Sequence, residues 1–187
     1  MRFVFRDPAV GRFYKHDSPY TYFTSNELHL GEISLECSRS GAAAVALWAT
    51  QKLLPLVPGG EFAQMLESCR SAAIELHRRL QNSSLFLSPV APQLDIVVWA
   101  VRGATLEESS TRARAVFDAA AQKDLHLALV QLPREFFPPD AWRGDTSAAQ
   151  ITCLRSVLMK PEHLAWLDAI WTRLEAAAGE FPAPLFR

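Results

Sequence analysis

The run Cys153-Leu154-Arg155-Ser156-Val157-Leu158-Met159-Lys160-Pro161-Glu162-His163 joins two kinds of local structure. Up to Met159 it closes a β-rich segment, 150–159, that sets Ile151, Cys153, Arg155, Val157 and Met159 on one face. Near Pro161 a helix begins, with Leu164, Leu167, Ile170, Trp171, Leu174 and Ala178 at helical spacing. Moving toward the N-terminus, three more β-rich runs, 85–87, 94–101 and 125–132, are bounded by Pro, Gly and Asp. Between the second and third lies a helix that opens on Thr105 with Glu108 three residues later, the reciprocal capping-box signature, and continues through Ala113, Val116, Phe117 and Ala120. Ahead of all of these, Gly59-Gly60 open a helix carrying Phe62, Met65, Leu66, Cys69, Ala72, Ala73, Leu76 and Leu80, with Glu67, Arg70, Glu75 and Arg78 toward water. From Gly60 the order is helix, strand, strand, helix, strand, strand, helix. That order predicts an α+β domain: a small antiparallel sheet with helices on one face.

The N-terminal part reads differently. Residues 41–54 carry no charge before Lys52 and no proline before Pro55, so they form a helix apolar on all sides, which something must bury. Residues 2–6 alternate apolar and charged side chains and end at Asp7-Pro8, as a short strand would. Residues 10–40 show no sustained period, yet hold Phe13, Tyr14, Tyr20, Tyr22 and Phe23. A loop of this length is functional or disordered, and its aromatics argue against disorder.

With 187 residues, of which 49% are hydrophobic, the chain suits one full domain with a real core, or one small domain and part of another. Nineteen basic against twenty acidic residues leave no field to hold nucleic acid or an acidic membrane surface. No apolar run approaches the ~20 residues of a membrane span, and Arg2, Arg6 and Asp7 interrupt any signal peptide, so a cytoplasmic location is expected. Cys37, Cys69 and Cys153 are widely spaced and read as free thiols; no His or Cys spacing completes a metal site. His77 reads as a helix-surface residue, His126 as a strand residue and His163 as a first-turn helix residue. The five tryptophans read as core or interface residues.

Two places carry chemistry. Ser38, Arg39 and Gly41 stand just ahead of a helix, where backbone N–H groups, a hydroxyl and a guanidinium suit an anion such as phosphate; a capped helix with a solvated Arg is the bland alternative. Arg155 is a lone guanidinium on an apolar strand face, and it either meets an anion or sits on an edge strand in an ion pair, with Glu162 as a candidate partner.

Residues 31–44 (Gly31-Glu32-Ile33-Ser34-Leu35-Glu36-Cys37-Ser38-Arg39-Ser40-Gly41-Ala42-Ala43-Ala44), continuing through Leu47-Trp48 to Leu54-Pro55-Leu56, resemble the segment downstream of the cofactor lysine in group II pyridoxal-phosphate-dependent amino acid decarboxylases. The run from Cys153 to His163 resembles that family's C-terminal motif, an Arg on a strand and a Pro at the following helix. The tyrosine, aromatic and glutamate decarboxylases belong to this family, and the Leu-Glu-x-Ser arrangement looks most like tyrosine-decarboxylase-like members.

The resemblance implies a fold-type-I organisation. Residues 1–40 would be the remnant of a large cofactor domain and its active-site loop, 41–82 the connecting helices, and 83–187 the small C-terminal domain. It implies pyridoxal 5'-phosphate as cofactor and an amino acid as substrate of the complete enzyme. It also implies a missing N-terminal half or homodimer partner. Ser38 and Arg39 would lie near the cofactor phosphate, Arg155 would meet the substrate carboxylate, and Tyr20 or Tyr22 would be the loop acid. The family's lysine follows a His, whereas Lys15, Lys52, Lys123 and Lys160 do not, so the chain alone is expected to be inactive. The alternatives are a non-catalytic interaction or dimerisation module, and one half of a split enzyme completed in trans.

Overall fold

The computed structural model describes residues 6–14, 41–144 and 149–180. The chain divides into two compact units, Met1–Leu53 and Leu54–Arg187. The break falls within the 41–82 segment.

In the first unit, Pro8–Tyr14 is a 3-10 turn, and the Asp7 carboxylate accepts the Ala9 N–H at 2.8 Å. The irregular chain expected from residue 10 thus begins with helical turns, started by an Asp-Pro pair. Helix α1, Ala42–Leu53, follows its alanine-rich sequence. It has no buried residue: Val45, Trp48 and Leu53 stand 62%, 61% and 79% exposed. The burial that its composition calls for is therefore not met within the described residues. The expected strand at 2–6 lies almost wholly outside those residues, and the rest of the loop, 15–40, lies entirely outside them.

The second unit follows the order read from the sequence: α2 (Glu61–Asn82), β1 (Phe86–Leu87), β2 (Ile96–Val101), α3 (Leu106–Ala121), β3 (Ala128–Pro133), β4 (Gln150–Val157) and α4 (Leu167–Ala178). The sheet order is β1-β2-β4-β3 with every neighbouring pair antiparallel. Hence β2 and β3 run parallel with β4 between them, a split β-α-β unit. On one face Val97, Trp99, Val101 and Leu154 pack against Leu76 and Leu80 of α2, Val116 of α3 and Leu174 of α4.

The last helix starts later than expected. Pro161–His163 is a separate 3-10 turn and α4 begins at Leu167, which leaves Leu164 and Trp166 exposed. His126 likewise precedes β3 and is not part of it. At the start of α3, Thr105 Oγ1 accepts the Glu108 N–H at 3.1 Å. The Glu108 carboxylate reaches back to the Ala104 N–H at 2.7 Å, one residue beyond the reciprocal partner that the signature implies.

The N-terminal turns of α3 also complete the sheet. Pairing of β2 with β4 ends at Trp99↔Leu154, while β4 continues to Gln150 alongside β3. Past that point Ser109 Oγ donates to the Val101 carbonyl, and Ser110 Oγ accepts the Thr152 N–H at 3.1 Å. Both serines are buried. Ser110→Ala is therefore expected to cost about 1–3 kcal/mol, because it leaves the Thr152 N–H buried without an acceptor. Urea unfolding measures the loss, and faster hydrogen exchange at Thr152 locates it.

Candidate functional site

The sheet face opposite the helices is covered over only part of its length. Ile151 and Cys153 of β4 pack with Ala100, Leu106, Phe137 and Trp142. Phe137 and Trp142 meet edge to face at 5.1 Å, and the Arg134 guanidinium lies 5.2 Å from the Trp142 ring centre while donating to the Phe137 and Pro139 carbonyls. This 134–142 segment shelters one end of the face. Toward the other end of β4 the same row of side chains continues with Arg155 and Val157, and both are exposed.

Arg155 stands between Val98 of β2 and Ala128 of β3, so β4 is an inner strand and the edge-strand alternative is overturned. No described residue pairs with the Arg155 guanidinium, and Glu162 does not reach it. Around it Ile96, opposite Val157, is 48% exposed, and Leu94 and Met159 are more so. A guanidinium without a described partner on a half-open apolar surface suits a carboxylate or phosphate, since its planar fork matches two oxygens at once. Of the residues expected at a site, the structure positions Arg155 alone. Tyr20, Tyr22, Ser38 and Arg39 lie outside the described residues.

The two described thiols, Cys69 and Cys153, are poor nucleophiles. Cys153 is fully buried and its pKa is pushed up to about 12 by desolvation, and burial, aided by Asp95, also raises that of Cys69. Among the described residues no three His, Cys, Asp or Glu side chains group to hold a metal ion. The described lysines do not fit a Schiff-base role: Lys123 pairs with Glu180 at 2.8 Å, and Lys52 and Lys160 stand exposed. No helix among the described residues is long and apolar enough to cross a membrane.

His77, expected on the helix surface, is instead buried between α2 and the β1–β2 connection. Its Nδ1 lies 2.7 Å from Ser88 Oγ, which gives its one proton to the Val98 carbonyl at 3.0 Å. Nδ1 must then carry the ring proton. Desolvation lowers the His77 pKa below its ordinary 6.5, so folding favours the neutral ring. Its contribution to stability is full above that ordinary value, declines as pH falls through it, and levels off below the lowered folded-state value. The urea midpoint is expected to drop between about pH 7.5 and 5.5, and to drop less in His77→Asn.

No family model and no curated protein matches the sequence. Solved structures do match. Mouse CSAD in its apo form superposes with a TM-score of 0.64 at 14% identity, over 94% of this chain and 35% of that one. TDC from Oryza sativa, solved with PLP and tryptamine, gives 0.61 at 13% identity over 81% and 29%. The glutamate decarboxylase domain of diaminobutyrate-pyruvate transaminase and L-2,4-diaminobutyrate decarboxylase from Vibrio parahaemolyticus gives 0.51 at 14% over 74% and 26%. The fold is that of the C-terminal part of group II decarboxylases. The α+β domain built on a small antiparallel sheet agrees with the sequence reading. This chain spans between 26% and 35% of the length of these decarboxylases.

Proposed function

We propose that this chain is the C-terminal part of a pyridoxal-phosphate-dependent amino acid decarboxylase of group II, in which Arg155 binds the substrate carboxylate. The observation that carries this reading is Arg155, without a partner among the described residues, on the open end of a decarboxylase-type sheet. The motifs at 31–56 and 153–163 support it from the sequence side.

In this reading residues 1–40 complete the large domain and the loop over the active site, 41–82 connect, and 83–187 form the small domain. The cofactor supplies an electron sink for loss of the α-carboxylate as carbon dioxide. Its Schiff-base lysine is supplied by polypeptide outside this sequence. Ser38 and Arg39 would hold the cofactor phosphate through a hydroxyl and a guanidinium. Tyr20 or Tyr22 would give a phenolic proton to the carbon that carried the carboxylate, once the loop has excluded water. Arg155 orients the substrate by its carboxylate. Tyrosine or another aromatic amino acid is the substrate class that the 31–56 motif favours. The exposed apolar helix α1 supports an assembly with further polypeptide, either the missing part of the enzyme or a homodimer partner.

The test mixes the purified chain with pyridoxal phosphate, alone and then with an N-terminal half taken from a full-length decarboxylase to which the chain is first shown to bind. An aldimine absorbance band and carbon dioxide release that appear only with the added half are expected. Binding without either would overturn the catalytic reading in favour of an interaction module. In the reconstituted enzyme, Arg155→Met is expected to raise KM at least about tenfold with an unchanged thermal midpoint, the loss of one charged hydrogen bond to substrate. An unchanged KM would remove Arg155 from substrate binding.

A further inference from the structure

Beside the open sheet face the structure holds a second feature that the decarboxylase reading does not use. Pairing of β3 with β4 begins at Ala128↔Arg155. The lead-in to β3, 124–127, therefore runs unpaired beside the end of β4, and α4 lies beyond them. A cleft of about 730 Å³ opens there. Its size falls within the ~300–1,000 Å³ of small-molecule sites.

The path of this lead-in is set by how α3 stops. The Leu125 N–H bonds to the Ala120 carbonyl at 2.9 Å and the Asp124 N–H to the Ala121 carbonyl at 3.2 Å, with Asp124 at φ +56°. This is a Schellman stop with Asp in the left-handed position that glycine normally fills. It turns the chain sharply into the cleft wall.

The floor is apolar, made by Leu125, Leu127, Leu158 and Ile170, with the half-exposed Trp166 indole at one side. The rim is cationic: Arg155, Lys160 and Arg173 against the single carboxylate of Asp124. No described carboxylate lies within ion-pair distance of any of these three cations. His163, also on the rim, is held by the turn that Pro161 starts: its N–H donates to the Lys160 carbonyl at 3.0 Å and its Nδ1 accepts the Lys160 N–H at 3.4 Å. That leaves Nε2–H of the neutral ring as a further donor. A chain of formal charge −1 thus gathers, around one apolar hollow, three cations that no described carboxylate pairs.

We propose that this cleft binds a small carboxylate with an apolar, flat body, the carboxylate meeting Lys160 and Arg173 and the body lying over Leu127 and Ile170 against Trp166. The proposal stands apart from the decarboxylase reading, since it needs neither cofactor nor a role for Arg155 in catalysis. The cations give preference for an anion. The floor gives preference for a ring over a bare ion, because it removes apolar area from water.

The experiment is an amide-resolved NMR titration of the full chain with benzoate, benzamide and acetate as probes. Benzoate is expected to give saturable shifts at residues 125–128 and 156–166, with affinity at least about tenfold above both other probes. Lys160→Glu combined with Arg173→Glu is expected to weaken benzoate at least about tenfold, the two residues being exposed and the thermal midpoint unchanged. Asp124→Asn keeps a side chain that tolerates the left-handed conformation and removes the one rim carboxylate among the described residues. It is expected to tighten benzoate about two- to fivefold. Equal binding of benzamide would overturn the anion preference, equal binding of acetate would overturn the apolar one, and shifts that map elsewhere or never saturate would overturn the site. None of these outcomes decides the aldimine test, which reads the cofactor and carbon dioxide release and not benzoate binding.

Discussion

Gly103→Ala is expected to lower the stability of the 54–187 unit by about 2–3 kcal/mol, a large effect for one added methyl. A Cβ at Gly103 would lie 2.5 Å from the Ser109 nitrogen and 3.0 Å from both the Glu108 carbonyl carbon and Ser109 Cα. All three are backbone atoms in the first turns of α3, so no side-chain rotation relieves the clash. The helix must back away from the sheet, and the residues that move first are the ones that finish the ladder. Ser109 would leave the Val101 carbonyl and Ser110 would leave the Thr152 N–H. A double-mutant cycle separates this account from local crowding. If α3 retreats, Gly103→Ala has already broken the Ser110 bond, and adding Ser110→Ala costs less than it does alone. Strict additivity would mean that the helix stays in place and the strain is absorbed in the 101–105 turn. Urea unfolding of the two single variants and the double variant measures all three terms.

How much of this was legible in the sequence depends on which force fixed each part. The order of elements from Gly60 was readable because each buries one stripe: Cys69, Ala72, Ala73, Leu76 and Leu80 on α2, and Ala113, Val116 and Ala120 on α3. The sheet's antiparallel character followed from short runs closed by turn residues. Ser109 and Ser110 were invisible to that method, since hydrophobic periodicity assigns a serine to the solvent side. Their burial is set by a gap in a ladder between residues some forty positions apart in sequence. His77 was misplaced for the same reason: its partner, Ser88, sits across a helix end and a strand. The helix α4 starts later than its sequence suggests because Pro161 opens a separate turn that ends at His163.

At the candidate site, Arg155 was legible as an anomaly, a charge in phase with Ile151 and Cys153. What the sequence could not supply was that the 134–142 segment covers its neighbours and stops short of it. Covering is a property of the chain's path, and a pattern along one strand does not contain it. The basic cleft was missed for a related reason: its cations come from β4, from the turn after it and from α4, and no local motif links Arg155, Lys160 and Arg173.

Trp99 carries the largest expected cost of any single truncation, and its two substitutions should differ sharply. Trp99 is fully buried on the helix face of β2, within the cluster shared by all three helices of the unit. Trp99→Ala removes the whole indole from a close-packed site and is expected to cost about 3–5 kcal/mol. Yet the indole N–H has no hydrogen-bond acceptor among the described residues and no contact with solvent. An unmet buried donor costs about 1–3 kcal/mol, so Trp99→Phe, which deletes the donor along with part of the ring, is expected to cost only about 1–2 kcal/mol. Thermal and urea unfolding of the two variants check the gap between them. If Trp99→Phe proved as damaging as Trp99→Ala, the N–H would have to be satisfied in solution, by a buried water. The result also bears on function. Trp99 pairs with Leu154, the residue before Arg155, and packing on one sheet face positions side chains on the other. A loss of Arg155-dependent binding in Trp99→Ala accompanied by retention in Trp99→Phe would show that the helix-side core holds the guanidinium in place, through the strand and not through any contact of its own.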